Sequence, residues 1–198
     1  MYELRLVYEA ELKAFPPRLP EQPIFYPVLN FGYAEQIARD WNTKSQPFAG
    51  YVTRFEVDGD YAVRFERRVI GSCEHEDLWA PVEQLDDFNR HIVGLIEVDA
   101  AYFGPLFRGL VPERGHLEGR DAIAQIVLLA RLLRVEGVDP RQVDETSHSA
   151  IFLHYPFWKR LSFSDEGVTD DECERVLERI GVAWLNILPE IPLTISCV

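Results

Sequence analysis

The chain has 198 residues, of which 47% are hydrophobic and 12% aromatic, a composition typical of a folded globular protein. It carries 20 lysine and arginine residues against 33 aspartate and glutamate residues, so the formal net charge is −13. A field of that sign repels phosphate backbones and anionic lipid, which disfavours nucleic-acid or membrane-surface binding and favours a basic protein partner. The three cysteines form no CxxC pair, and the sequence shows neither a signal peptide nor a membrane-spanning apolar run. We therefore predict a soluble, cytoplasmic protein without a disulfide framework.

Strand patterns dominate the first part of the chain. The first eight residues alternate apolar and charged side chains, which predicts a half-buried strand. Residues 24–29 predict a short or edge strand, because Pro27 interrupts them. Residues 50–57 and 61–70 also alternate, and they flank the tight-turn signal Asp58-Gly59-Asp60. The sequence therefore predicts a hairpin at that turn.

Two helices are predicted among these strands. The first covers Tyr33–Asn42, with Asn30 as its N-cap and apolar residues at helical spacing, namely Ala34, Ile37, Ala38 and Trp41. The second begins at Pro81, after a short strand over residues 77–80. A further strand is predicted over residues 93–103.

The glycine-rich stretch Gly104–Gly119 marks a change from strand to helix patterns. Beyond it, Asp121–Val135 has helical periodicity and Thr169-Asp170-Asp171-Glu172 has the form of a capping box. Asp139-Pro140 is another helix-start signal, and residues 193–198 are consistent with a strand. We predict an α+β fold, with a twisted, mainly antiparallel sheet and two helices in residues 1–104 and a mainly helical segment in residues 105–198. Whether that segment shares a core with the sheet stays open.

The densest group of reactive side chains lies in Cys73–Asn89. Glu74, Glu76 and Asp77 precede a strand and allow two interpretations. Clustered around a cleft, their mutual repulsion would raise one pKa and supply a usable acid or base; otherwise they form a solvated turn. His75 and His91 do not share a helix face, so no metal site is predicted.

Two features of the second part bear on its role. His148 and His154 are six residues apart and are interpreted as surface or capping residues. An aromatic cluster follows, formed by Phe152, Tyr155, Phe157 and Trp158. Core packing is its default interpretation, and the adjacent Lys159 and Arg160 leave a partner contact as the alternative.

Three segments carry a resemblance to a known group. They are IFYPVLNFGYAEQIARDWN, GYVTRFEVD and EHEDLWAPVEQLDDFNRHIVGLIEV. Together they resemble small uncharacterised bacterial proteins labelled ADP-ribosylation/crystallin J1, over roughly Tyr2–Tyr102. Their element order also resembles the ADP-ribosyltransferase fold. An aromatic strand at Phe25-Tyr26 leads into a helix, then a strand from Tyr51, then the acidic pair Glu74-x-Glu76.

The resemblance implies specific roles for five residues. Glu76 would stabilise the oxocarbenium ion that develops when NAD is cleaved, with Glu74 as its companion. Arg5, on the predicted first strand, would anchor NAD. Tyr26 and Tyr51 would line the nicotinamide pocket.

Two parts of the transferase signature are missing from the sequence. It has no Ser-Thr-Ser element, and no histidine lies in the first predicted strand. The leading hypothesis is therefore a non-catalytic binding or interaction module on a transferase-like scaffold, without a cofactor. Its acidic face would suit a basic protein partner, as in an immunity or antitoxin protein. The alternative is an NAD-dependent ADP-ribosyltransferase using Glu76. The sequence does not determine the oligomeric state.

Overall fold

The computed structural model describes residues 1–69, 75–136 and 147–193. These residues form an α+β protein with antiparallel strand pairs and seven α-helices, which confirms the predicted class. The chain divides into two compact units, one formed by Met1–Gly104 and the other beginning at Pro105.

The described residues of the first unit form five strands in two separate sheets, where one sheet was predicted. The strands are β1 (Ile24–Phe25), β2 (Ala49–Val57), β3 (Glu66–Val69), β4 (Glu76–Pro81) and β5 (Ile92–Phe103). One sheet has the order β1-β4-β3 and the other pairs β2 with β5. Within residues 1–69 and 75–104 there are four α-helices, where two were predicted: α1 (Tyr2–Glu9), α2 (Phe31–Gln36), α3 (Gly59–Ala62) and α4 (Leu85–Arg90). A π-helical turn, Ile37–Trp41, continues α2.

The first eight residues do not form the predicted strand. They belong to helix α1, in which Leu4 and Val7 lie almost one turn apart and are both buried. The alternation suggested that Tyr2 and Leu6 also point inward, yet their side chains are 61% and 46% exposed. A spacing of three between the buried residues is helical, so the period-two interpretation was wrong.

The hairpin predicted at Asp58-Gly59-Asp60 is also wrong. Strand β2 pairs with β5, and β3 pairs with β4. The side chain of Asp58 accepts hydrogen bonds from the backbone N–H groups of Asp60 and Tyr61, at 2.9 and 3.4 Å. Asp58 therefore caps helix α3 instead of forming a two-residue turn. The cap holds Tyr61 inside the unit, where it is only 2% exposed.

The sequence correctly predicted several elements whose ends are set by neighbouring residues. Asn30 caps α2, and its side chain accepts a hydrogen bond from the Tyr33 N–H at 2.8 Å. Strand β1 is short and lies at a sheet edge, as Pro27 suggested. The predicted strand before Pro81, the helix after it and the long strand β5 are all present. Trp41, predicted to face inward, is 52% exposed.

The core of the first unit is centred on Phe88, whose exposure is 0%. Its ring contacts four other aromatic rings at centroid distances of 5.4 to 6.2 Å, those of Phe25, Phe55, Tyr61 and Phe65. Such pairs contribute about 0.5–1.5 kcal/mol each beyond the area they bury. This cluster contacts both sheets, because Phe25 lies in β1 and Phe55 in β2.

The described part of the second unit is helical, with α5 (Ala122–Glu136), α6 (His148–Trp158) and α7 (Asp170–Ile187) packed pairwise. Every residue from Ala150 to Trp158 is buried, so the core-packing interpretation of the aromatic cluster is confirmed. Helix α7 begins with the predicted capping box at Thr169. The helix start predicted at Asp139-Pro140 and most of the predicted strand at residues 193–198 lie outside the described residues.

The interpretation of His148 and His154 as surface or capping residues was wrong, since they are 8% and 0% exposed. Nε2 of His154 accepts a hydrogen bond from the Leu110 N–H at 2.7 Å. Its Nδ1 lies 2.8 Å from Oε1 of Gln125, so the proton is on Nδ1 and the ring is neutral. Burial lowers the pKa of His154 to about 3. With both ring nitrogens bonded in this way, the histidine is a structural residue.

Candidate functional site

Two adjoining cavities, of about 320 and 380 Å³, lie along strand β2 in the first unit. Both volumes are within the range of small-molecule sites. The cavities share six lining residues, which are Pro27, Val28, Ala34, Val52, Thr53 and Phe55. We refer to the two cavities together as the β1–β2 groove.

The groove runs along β2. Its lining includes the five consecutive residues Tyr51–Phe55, of which Tyr51 lines only the first cavity and Arg54 only the second. The small residues Ala34 and Ala38 also line the first cavity. Two aromatic residues of the same lining, Phe15 and Phe55, meet with their ring centroids 4.9 Å apart.

Backbone groups of the segment after β1 border the same groove. The Pro27 carbonyl accepts a hydrogen bond from the Leu78 N–H at 2.8 Å, and the Leu29 N–H donates to the Glu76 carbonyl at 2.9 Å. Residues 27 and 29 therefore direct their backbone groups towards β4. Val28, which lies between them and lines both cavities, directs its own N–H and C=O away from β4.

The charged groups of the groove are arranged as ion pairs. Nη1 of Arg18 lies 2.5 Å from Oε1 of Glu3, and the Arg18 side chain is only 16% exposed. Nε of Arg18 is buried and has no hydrogen-bond partner among the described residues. In the second cavity, Nε of Arg54 lies 3.1 Å from Oδ2 of Asp99. Each arginine is thus balanced by a carboxylate, and the surface of the second cavity is mainly apolar, whereas that of the first is about equally polar and apolar.

Two of the five residues implied by the resemblance line the groove. Tyr26 is 44% exposed, and its ring meets Trp79 edge-on at 5.2 Å. The ring of Tyr51 meets Phe103 edge-on at 5.8 Å, and burial raises the pKa of Tyr51. Both tyrosines line the first cavity, although their role in binding stays a prediction.

The other three residues are placed differently. Arg5 is on helix α1 rather than on a strand, and its Nε donates to Oε1 of Glu9 at 2.7 Å. Glu76 is the first residue of β4, with its Oε1 3.9 Å from Nη1 of Arg67. Neither Arg5 nor Glu76 lines either cavity of the groove. Glu74 lies outside the described residues.

A second titratable cluster surrounds Asp77, for which the solvated-turn interpretation was wrong. Asp77 is 4% exposed, and its Oδ1 has no hydrogen-bond partner among the described residues. Burial raises the pKa of this carboxyl, an effect that the nearby His75 opposes. The His75 ring stacks on Tyr33 at 4.1 Å, and its Nε2 lies 3.2 Å from Oε1 of Gln36. Asp77 follows Glu76 in a strand, where neighbouring side chains point to opposite faces. This periodicity was the sequence signal that could have predicted the burial of Asp77.

No protein-family model, curated protein or solved structure matches this chain. Within residues 1–69, 75–136 and 147–193, no group of three or more His, Cys, Asp or Glu side chains is placed to hold a metal ion. In the same residues, no helix combines the length and apolar character needed to cross a membrane.

Proposed function

We propose that this protein is a non-catalytic binding protein on an ADP-ribosyltransferase-like scaffold, and that its partner is a basic protein. One observation carries the proposal. The groove contains Tyr26 and Tyr51, whereas Arg5 and Glu76, which the transferase reaction would require, are not among its lining residues.

The order of elements supports the scaffold. Strand β1 and helix α2 are followed by β2, and Glu76 is the first residue of β4. This is the order that the resemblance implies. The first element is a helix instead of a strand, so the counterpart of the NAD-anchoring arginine is not where the transferase pattern requires it.

The contacts of the two residues argue against catalysis. Stabilising an oxocarbenium ion requires a carboxylate directed at the position where charge develops. Glu76 borders neither cavity and approaches Arg67, and Arg5 is paired with Glu9 on the surface of α1. Neither of the two residues to which the resemblance assigns these roles therefore lines the groove.

The charge of the chain favours a protein partner over a nucleotide. A net charge of −13 repels the pyrophosphate of NAD and accelerates encounters with a basic surface. An immunity- or antitoxin-like role, in which an acidic protein covers a basic surface of its target, is consistent with that charge.

Isothermal titration calorimetry with NAD tests the proposal directly. We expect no binding heat with the folded wild-type protein or with the Glu76→Gln and Arg5→Ala variants. Glu66→Gln is a matched control for the first variant, because Glu66 lies on the neighbouring strand β3 and is paired with Arg68. Saturable NAD binding by the wild type and the control that is lost in Glu76→Gln or Arg5→Ala would overturn the non-catalytic proposal.

A further inference from the structure

We infer that the outer face of the β1-β4-β3 sheet binds an arginine side chain of the basic partner, at Asp77 and Trp79. The inference rests on the proposed binding function and names the contact through which the partner is recognised. We call this surface the Trp79 face, and it consists of Tyr26, Arg68, Asp77 and Trp79.

The alternation of side chains along β4 separates the Trp79 face from the core. Ala80 is paired with Phe25, whose ring contacts Phe88 in the core. Successive side chains of a strand point to opposite faces, so Asp77 and Trp79 both lie on the face opposite Ala80. Two residues apart in a strand, they are separated by about 7 Å.

Two side chains from the neighbouring segments join Trp79 on this face. The ring of Tyr26 meets that of Trp79 edge-on at 5.2 Å, and the guanidinium carbon of Arg68 lies 3.6 Å from the centroid of the Trp79 ring. Tyr26 is 44% exposed and the Arg68 side chain is 41% exposed, so both are at the surface. Tryptophan, tyrosine and arginine are the residues most enriched among those that dominate the binding energy of protein interfaces. The Trp79 face therefore has the composition of a protein contact.

Two buried polar atoms of this face are not satisfied by the fold. Oδ1 of Asp77 and Nε1 of Trp79 are both buried, and neither has a hydrogen-bond partner among the described residues. A buried acceptor or donor without a partner destabilises the state that contains it. Each of these atoms is therefore stabilised by a bound group that supplies the missing partner.

The charges of β3 and β4 indicate that the group bound at Asp77 is a cation. Nη2 of Arg68 lies 2.6 Å from Oε2 of Glu66. Nη1 of Arg67 lies 3.9 Å from Oε1 of Glu76. Asp77 is the third carboxylate of these two strands, and its Oδ1 has no such partner in the described part of the chain. Burial raises the pKa of Asp77, and a cation bound beside it would lower that pKa by stabilising the ionised form.

Arginine suits this face better than lysine does. A guanidinium is planar, stacks on aromatic rings and donates several hydrogen bonds in one plane, whereas an ammonium is compact and strongly hydrated. The position of Arg68 shows that the Trp79 ring accepts a guanidinium on its face. Because Glu66 is paired with Arg68, that residue adds little net charge to repel an incoming arginine.

The partner's arginine reaches Asp77 from the surface. Asp77 is 4% exposed, so the incoming side chain has to displace the exposed ends of Tyr26 and Arg68. The guanidinium then donates to Oδ1 of Asp77. A backbone carbonyl of the partner is the acceptor for the Trp79 N–H, since each residue of a polypeptide carries one.

A displayed library of random heptapeptides provides the probe. The library is selected on the wild-type protein and counter-selected on Asp77→Asn, which removes the charge and keeps the size of the side chain. Asp86→Asn is the matched control, because Asp86 is exposed on α4 and lies outside the Trp79 face. Tyr26→Ala is a second test variant, and Tyr2→Ala is its control, because Tyr2 is 61% exposed on α1. Circular dichroism establishes that each variant is folded.

We expect the selected peptides to contain arginine and to bind the wild type and the two controls equally. They should bind Asp77→Asn and Tyr26→Ala at least about tenfold more weakly, because each variant loses a contact with the guanidinium. Replacing the arginine of the peptide with citrulline, which has nearly the same shape but no charge, should weaken binding by about tenfold or more.

The indole N–H signals in NMR spectra locate the bound peptide. The Trp79 signal, identified as the one missing in Trp79→Phe, should shift when a peptide binds. The signals of Trp158 and Trp184 should not shift, because their N–H groups already donate to backbone carbonyls of the second unit at 2.7 and 2.6 Å. The peptide titration itself uses the wild-type protein, so it remains decisive if Asp77→Asn does not fold.

Failure to enrich peptides on the wild type, equal affinity for the wild type and Asp77→Asn, or an unshifted Trp79 signal would contradict the inference. The two proposals can also fail separately. Basic, salt-sensitive peptides that bind Asp77→Asn as tightly as the wild type would refute this site and retain the basic partner. Saturable NAD binding that requires Glu76, together with arginine peptides that require Asp77, would refute the non-catalytic function and retain this site.

Discussion

The buried His154 makes the stability of the second unit depend on pH in a defined direction. Replacing it with glutamine removes the titrating ring and keeps a polar side chain next to Leu110 and Gln125. The folded state binds a proton only near the lowered pKa of about 3, whereas an unfolded histidine binds one near its ordinary pKa of about 6.5. As the pH falls below about 6.5, the unfolded state takes up this proton first, and stability is progressively lost.

The size of the effect follows from the separation of the two pKa values. Each pKa unit corresponds to about 1.4 kcal/mol, so lowering the pH from about 7 to about 4.5 should cost about 3 kcal/mol through His154 alone. The ring is 0% exposed, so solvent screening takes little from this value. Protonation of carboxylates also lowers the free energy of unfolding over part of this pH range, but it does so equally in the wild type and in His154→Gln.

Urea unfolding monitored by circular dichroism at several pH values measures the difference. The wild type should lose about 3 kcal/mol more than His154→Gln between the two pH values. His116→Gln is the matched control, because it replaces an exposed histidine of the same unit with the same residue. NMR titration of the imidazole Cε1 proton reports the pKa of His154 itself.

Parallel pH profiles for the wild type and His154→Gln would refute the reasoning. The same conclusion would follow if the His154 imidazole titrated near its ordinary pKa in the folded protein. Either result would mean that the ring is not held neutral by burial and by the two hydrogen bonds.

Two further predictions concern the same unit. Gly109 has φ +79°, and a Cβ added to it would lie 2.3 Å from Nε2 of the buried His154 ring. Gly109→Ala should therefore lower the free energy of unfolding by at least about 2 kcal/mol, as measured by urea titration. Gly119→Ala, with φ +68° and open space around it, should cost about 1 kcal/mol, and equal costs would contradict the steric explanation. Arg134 holds the pKa of the Glu172 carboxyl at about 2 through two contacts of 2.6 Å. Arg134→Met should therefore raise that pKa in a carboxyl NMR titration, and an unchanged value would show that the pair does not form in solution.

The sequence predicted elements whose boundaries depend on neighbouring residues. Asn30 and Thr169 identified helix starts because a cap needs only a side-chain oxygen and the next backbone N–H groups. Asp58 carried the same chemistry, but the adjacent glycine favoured a hairpin interpretation. Asp58 caps a helix instead of forming a turn because Tyr61 is buried against Phe88 and β2 pairs with the distant β5.

The groove could not be predicted because its walls are far apart in the sequence. Tyr26 and Tyr51 entered the prediction through the resemblance alone, and only the fold shows that they line one cavity. Arg5 was placed on a strand because three apolar residues alternated around it, whereas the buried pair in α1 is Leu4 and Val7. The burial of Asp77 depends on the strands around it, so local acidity suggested a solvated turn instead.

Helix α6 has a consequence for the chain before it folds. From Ala150 to Trp158 it is buried on all sides, so during synthesis the nascent polypeptide exposes nine consecutive residues suited to self-association. Pro156 lies within this stretch and disfavours stacking into β-aggregates. Lys159 and Arg160 follow immediately and remain exposed in the folded protein. Charges that flank an apolar stretch oppose its self-association, so Lys159 and Arg160 are placed to act against aggregation before α5 and α7 cover the segment.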